Sequence, residues 1–302
     1  MEGRWVEVAD RVLVRRYAEL DLSVGLVVGD GGCLVVDTRG DERQGAELLA
    51  EVRRVTRDPW TVVITHSHFD HSFGTRPFLD CPVWAHEGCR ADLLENGERA
   101  RDEWTRHYRD LGRADVAGDI ARTGIVPPDH LVTDRARLVV GGRPVVLAHL
   151  GRGHSGNDLV VHVPDAGVTF AGDLVENGAP PAYEDAYPLE WPATVAGLLD
   201  LIDSLAPLGG GPASGPGPGF GPDPGLGSGP GPASGPDGAV VVPGHGDPVG
   251  RGFVVAQHAE ISALARLCER VIAGSLSPAD AVRLSPYPEE TTRIALGRAG
   301  HP

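Results

Sequence analysis

Residues 61–71 read TVVITHSHFDH, and no other stretch restricts the fold of this chain as much. An apolar, β-branched run is followed directly by His66, His68, Asp70 and His71. A run of that kind favours a core strand, and the end of a core strand is a poor place for unpaired polar groups. Each imidazole or carboxylate buried without a partner costs a few kcal/mol, roughly 2–7 by transfer measurements. Something must therefore neutralise three imidazoles and a carboxylate placed within six residues. A divalent metal ion does so, since imidazole and carboxylate together suit borderline metals such as zinc.

Other short apolar runs end in the same way. Candidate strands fall at 24–28, 33–38, 61–66, 82–86, 137–150 (broken by Gly141-Gly142), 158–163, 168–173 and 239–246. The run 145–148 leads into LGRGHSGND with His154, the run 168–171 leads to Asp173, and the run 239–243 leads to Pro-Gly-His245. Strand ends on one edge of a sheet gather in space, which is where open α/β folds place their sites. Gly141-Gly142 and residues 164–167 (PDAG) read as tight turns between paired strands. Helical patterns lie between the strands, at 41–55, 87–122 and 193–205, so the fold class is α/β. We expect one catalytic domain over 1–250 and a C-terminal helical extension of that same domain over 251–302.

Residues 207–238 differ in kind. Of these 32 residues 22 are Gly or Pro, GPASGP occurs twice, and Gly does not recur at every third position. Such a segment buries too little surface to offset its ordering entropy, so we expect a disordered surface insertion within the domain.

The net charge of −15 argues against a nucleic-acid groove, which needs a basic stripe. All 27 basic residues are Arg, which rules out a catalytic lysine. Cys33, Cys81, Cys89 and Cys268 form no C-x-x-C pair and read as reduced and core-filling. No secretory signal and no apolar run of about 20 residues is visible. The expectation is a cytoplasmic protein with a small-molecule substrate and neither a membrane nor a nucleic-acid partner; its oligomeric state is not encoded in any motif.

THSHFDH has the H-x-H-x-D-H pattern of the metallo-β-lactamase superfamily, and GRGHS, FAGD and PGHG follow in that family's order. The chain resembles that family over about residues 10–250. The resemblance implies a four-layer αββα sandwich of two similar halves with metals at one edge. It implies two divalent ions, zinc first and iron or manganese as alternatives. His66, His68 and His154 would hold the first ion, Asp70, His71 and His245 the second, and Asp173 would bridge them. Asp at 173, where thiolate lactamases have Cys, resembles the glyoxalase II, lactonase and ribonuclease Z branches. The family's H-T-x-G is replaced here by His154-Ser155-Gly156-Asn157-Asp158. Ser155 would replace Thr as hydroxyl donor, and Asp158 would orient a metal-bound imidazole.

The implied chemistry is hydrolysis of a small ester, thioester or lactone by a hydroxide bridging the metals, with Asp70 handling its proton. β-Lactam hydrolysis, a mononuclear iron sulfur dioxygenase and a binding protein with a vestigial site are the alternatives. Tyr183, Tyr187 and Trp191, on the turn-rich segment after Asp173, are candidates for substrate contacts, and Glu176 and Glu184 read as solvated.

Overall fold

The computed structural model describes residues 3–204 and 238–300. Apart from Gly238, the Gly/Pro-rich insertion lies outside the described residues. Two mixed sheets pack face to face with helices on both outer sides, which is the expected four-layer order.

The first sheet runs β1 (Trp5–Ala9), β2 (Val12–Arg16), β3 (Ser23–Val28), β4 (Cys33–Val36), β5 (Trp60–Val63), β6 (Val83–His86) and β7 (His130–Val132), in chain order. β1 to β4 pair antiparallel, and β4 to β7 pair parallel. Between them run α1 (Glu42–Val55), α2 (Phe69–Ser72), a 3-10 turn over Phe73–Phe78, α3 (Glu87–Asp110) and α4 (Ala114–Arg122). The second sheet has the order β13 (Val249–Gly250), β12 (Val240–His245), β11 (Val168–Glu176), β10 (Val160–Val163), β9 (Arg143–Ala148), β8 (Arg135–Val140). Its helices are α5 (Trp191–Ser204), α6 (Arg251–Ile272), α7 (Pro278–Leu284) and α8 (Glu289–Ala299).

Strand alternation divides the apolar side chains among three cores. Along β2, Val12 and Val14 face the second sheet while Leu13 faces the helices; on β4, Leu34 and Val36 face inward while Cys33 and Val35 face outward. β12 repeats the scheme, with Val240 and Val242 between the sheets and Val241 towards α5 and α6. Strands buried on both faces read as unbroken Val-rich runs, as these do. α1 is fixed at its start by Asp41, whose carboxylate accepts the Gln44 N–H at 2.8 Å, and at its end by Arg53 and Arg54 near the dipole terminus.

Three elements differ from the sequence reading, and the last of them bears on the site. The β1–β2 hairpin was not expected, nor was β7. Further, β11 does not stop at Asp173 but continues to Glu176, with all nine residues buried. Gly172 has φ +54 and the pairing with β12 shifts there, so a local kink presents Asp173 from mid-strand.

Candidate metal centre

Both sheets contribute to one edge. His66 follows β5; Asp70 and His71 lie on α2 with His68 at its N-terminus; His154 sits in the loop after β9; Asp173 is on the kink of β11; His245 ends β12. The structure brings all seven of the expected ligands together in two groups, His66 with His68, His154 and Asp173, and Asp70 with His71 and His245. Within each group one donor atom per residue lies within 4.8 Å of the others. Asp173 is shared geometrically: Oδ2 is 3.4 Å from His154 Nε2 and 3.2 Å from His245 Nε2, and Oδ1 is 3.3 Å from His71 Nε2.

Most of the imidazoles are held from behind. His71 Nδ1–H donates to Asp37 Oδ2 at 2.8 Å, His245 Nδ1–H to the Leu20 carbonyl at 2.7 Å, and His68 Nε2–H to Asp185 Oδ2 at 2.8 Å. Thr65 Oγ1 spends its proton on Asp37 (2.9 Å), so at 3.1 Å it accepts from His66 Nδ1–H. Four rings are thereby fixed with one nitrogen bonded outward and the other turned into the cluster, the arrangement that orients metal-binding histidines. His154 Nδ1 is the exception, 3.7 Å from Glu176 Oε1.

The inward atoms fit a cation and little else. His66 Nε2 is buried with no hydrogen-bond partner among the described residues. His71 Nε2 and His245 Nε2 face each other at 3.4 Å, although both rings already donate from their other nitrogen. Burial disfavours charge on His71 and His245, yet Asp173 and Asp70 outweigh it: His71 is raised well above its usual range and His245 to about 10. Burial instead holds His66 well below its usual value and His154 near 4, leaving both as neutral donors. Gly244 completes the cradle, for a Cβ at that position would lie 1.7 Å from Asp173 Oδ1.

Several residues sit elsewhere than the sequence reading expected. Asp158 touches no imidazole of the cluster with its carboxylate; it accepts the Ser155 N–H (2.9 Å) and hydroxyl (2.7 Å), and burial raises it to about 7. It shapes the turn that carries His154 rather than orienting a ring. Ser155 Oγ in turn accepts the Asn157 N–H at 3.1 Å, and the Asn157 side chain clamps Ser67 between His66 and His68. Tyr183 and Trp191 are buried in the core behind the site, with Trp191 5.8 Å from the His154 ring. Tyr187 is half-buried beneath the Arg152 guanidinium. Glu184 is exposed, but Glu176 is buried, because β11 runs on to include it; burial pushes its carboxyl up to about 8. Asp37 and Asp185 were not singled out from sequence. A small recess lined by Leu20, Leu22, Phe69, Val116 and Ile120, and also by Glu19, Arg39, Gln44 and Tyr108, lies beside Asp70.

Comparison with known proteins agrees with this picture. The family model described as metallo-beta-lactamase superfamily matches residues 19–245. The chain is 30% identical to the acyl-coenzyme A thioesterase MBLAC2 of Gallus gallus over 166 residues, covering 52% of this chain and 58% of that protein. It is 29% identical to the Bos taurus protein of the same name over 169 residues, covering 52% and 59%. The chain thus spans less than two thirds of the length of the curated relatives it matches. A metallo-beta-lactamase from Pontibacter korlensis superposes with a TM-score of 0.60 at 18% identity, over 86% of this chain and 99% of that one. At that identity the likeness speaks for the fold alone.

Proposed function

This chain belongs to the metallo-beta-lactamase superfamily, and from that premise we propose that it is a two-metal hydrolase of small acyl thioesters, with zinc as its metal. The observation that carries the reading is Asp173, whose two carboxylate oxygens face both ligand groups at 3.2–3.4 Å. In this reading His66, His68 and His154 hold one ion, Asp70, His71 and His245 the other, and Asp173 bridges them. Bound ions supply an acidified water and a Lewis acid for the carbonyl oxygen.

The chain's own residues do the rest. Asp70 is the proton acceptor: its side chain is 12% exposed and stands 3.4 Å from His245 Nε2, so it reaches both water and the ligand cluster. Asp37 fixes His71 and, through Thr65, His66. The thioester preference over lactone or β-lactam rests on the thioesterases among the relatives.

The test combines metal analysis with turnover on one purified batch. About two zinc ions per chain and hydrolysis of an acyl-coenzyme A in preference to lactones and β-lactams are expected. His154→Ala and His245→Ala should each lower occupancy of a different ion. A single iron with oxygen consumption, or full two-ion occupancy in either variant, would overturn the assignment.

A further inference from the structure

We propose that the C-terminal helix α8 sets the orientation of His68, with Arg298 as the positioning residue and Asp185 as the intermediary. The inference rests on His68 being a metal ligand as read above, and it adds a residue far outside the family match.

The connection is a chain of three contacts. His68 is the most exposed of the five clustered imidazoles, at 29% of its side chain, so packing alone does not hold its ring. Its Nε2–H is taken by Asp185 at 2.8 Å, which turns Nδ1 towards His154 Nε2 at 2.9 Å. Asp185 itself has a side chain 58% exposed, on the segment between β11 and α5, and an exposed carboxylate is free to choose other rotamers. What restrains it is its backbone. The Arg298 guanidinium donates from Nη2 to the Asp185 carbonyl at 3.0 Å and from Nε to the Ala186 carbonyl at 3.2 Å. The planar fork of Arg is suited to holding two acceptors at once.

α8 is a firm base for that fork. Ala295 is fully buried in the same core as Tyr183 and Ala186, so the helix packs on the segment it grips. Thr292 ties the start of α8 to the preceding turn through Ser285 Oγ (2.7 Å) and the Tyr287 carbonyl (3.3 Å). Arg293 on the same helix pairs locally with Glu289, its one ion pair among the described residues, and serves as a control.

The experiment is zinc binding to the full chain by competition with a chromophoric chelator, together with the cobalt(II) absorption spectrum and the melting temperature. Asp185→Ala should weaken the zinc held by the group of His66, His68 and His154 by about 10–100-fold, and Asp185→Asn, which keeps an acceptor oxygen, should recover most of that. Arg298→Ala should weaken the same zinc about three- to tenfold and alter the cobalt spectrum. In the double variant Arg298→Ala should add nothing to Asp185→Ala, since the two act in series. Arg293→Ala should match wild type. If Arg298→Ala does not fold, Arg298→Lys, able to reach one carbonyl but not both, gives the same comparison. Wild-type zinc affinity in the Arg298 variant, or full additivity in the double variant, overturns the inference while leaving the metal site intact. Absence of zinc binding by the wild-type chain overturns the metal site itself, and this inference with it.

Discussion

Alanine at position 244 would place a methyl carbon 1.7 Å from Asp173 Oδ1, where ordinary contact begins at 3.4 Å. The backbone there is not left-handed, so the residue itself tolerates a side chain and the effect is purely steric. The next nearest atoms are Asp173 Cγ at 2.9 Å and the Gly172 carbonyl carbon at 3.0 Å, and of these the side-chain carboxylate yields more readily than the backbone. It has to retreat by about 1.7 Å, while metal–ligand distances hold to roughly 0.2 Å. Asp173 would then leave at least one ion, and zinc affinity should fall by more than the roughly 10–100-fold of an outer-shell change. Overpacking of this kind costs the fold itself only about 1–3 kcal/mol, so the metal-free variant should still melt cooperatively a few degrees below wild type. Zinc titration and calorimetry on Gly244→Ala separate the two effects. Gly252→Ala, where an added Cβ meets nothing within 4 Å, is the control. A folded Gly244→Ala protein with wild-type zinc affinity would refute the placing of Asp173 between the two ligand groups.

Three further outcomes are expected. His86 accepts the Gly88 N–H at 3.1 Å, and burial lowers it to about 4 from its usual 6.5; the unfolded chain therefore binds more protons between those values, and stability should fall as pH drops from 6.5 to 4. His86→Asn, which keeps a cap acceptor, should flatten that part of the stability–pH curve, and an unchanged slope would refute the assignment. Burial raises Cys33 to about 12, Cys81 and Cys268 to about 11, and Cys89 well above its usual range, so the folded protein should show no fast thiol reaction with a disulfide reagent at pH 8 and four thiols after unfolding. Replacing residues 205–237 with about eight residues halves that connection twice, which should leave turnover intact and stabilise the fold by about 1 kcal/mol; loss of folding would show that the segment is structural.

What the sequence made legible was local. Motifs that hold several polar residues at fixed spacing after an apolar run, such as His66-x-His68-x-Asp70-His71, show themselves because no packing argument explains them. Val-rich strands buried on both faces show themselves by their length and β-branching. Asp37, by contrast, looks like any residue closing a strand; its role depends on Thr65 and His71 reaching it from 28 and 34 residues away. Asp185 and Arg298 are ordinary charged residues until α8 folds over the segment before α5. Glu176 reads as solvated because Asp173 seems to end its strand, and only the kink at Gly172 lets β11 continue past it. Tyr183 and Trp191 look like loop aromatics because their burial is set by α6 and α8, far along the chain.

The clustered ligands come from both sheets and from positions 66 to 245, so no partly made chain can gather them. A peptide bearing His66-x-His68-x-Asp70-His71 alone would take up whichever soft divalent ion bound histidine most strongly, copper before zinc. Asp173 and His245 belong to the second sheet, and the outward partners of His68 and His245 are Asp185 and Leu20, each more than a hundred residues away along the chain. The seven side chains are thus gathered only where both sheets meet, so an ion that needs all of them can be held by the folded chain and not by the His66-x-His68-x-Asp70-His71 stretch alone.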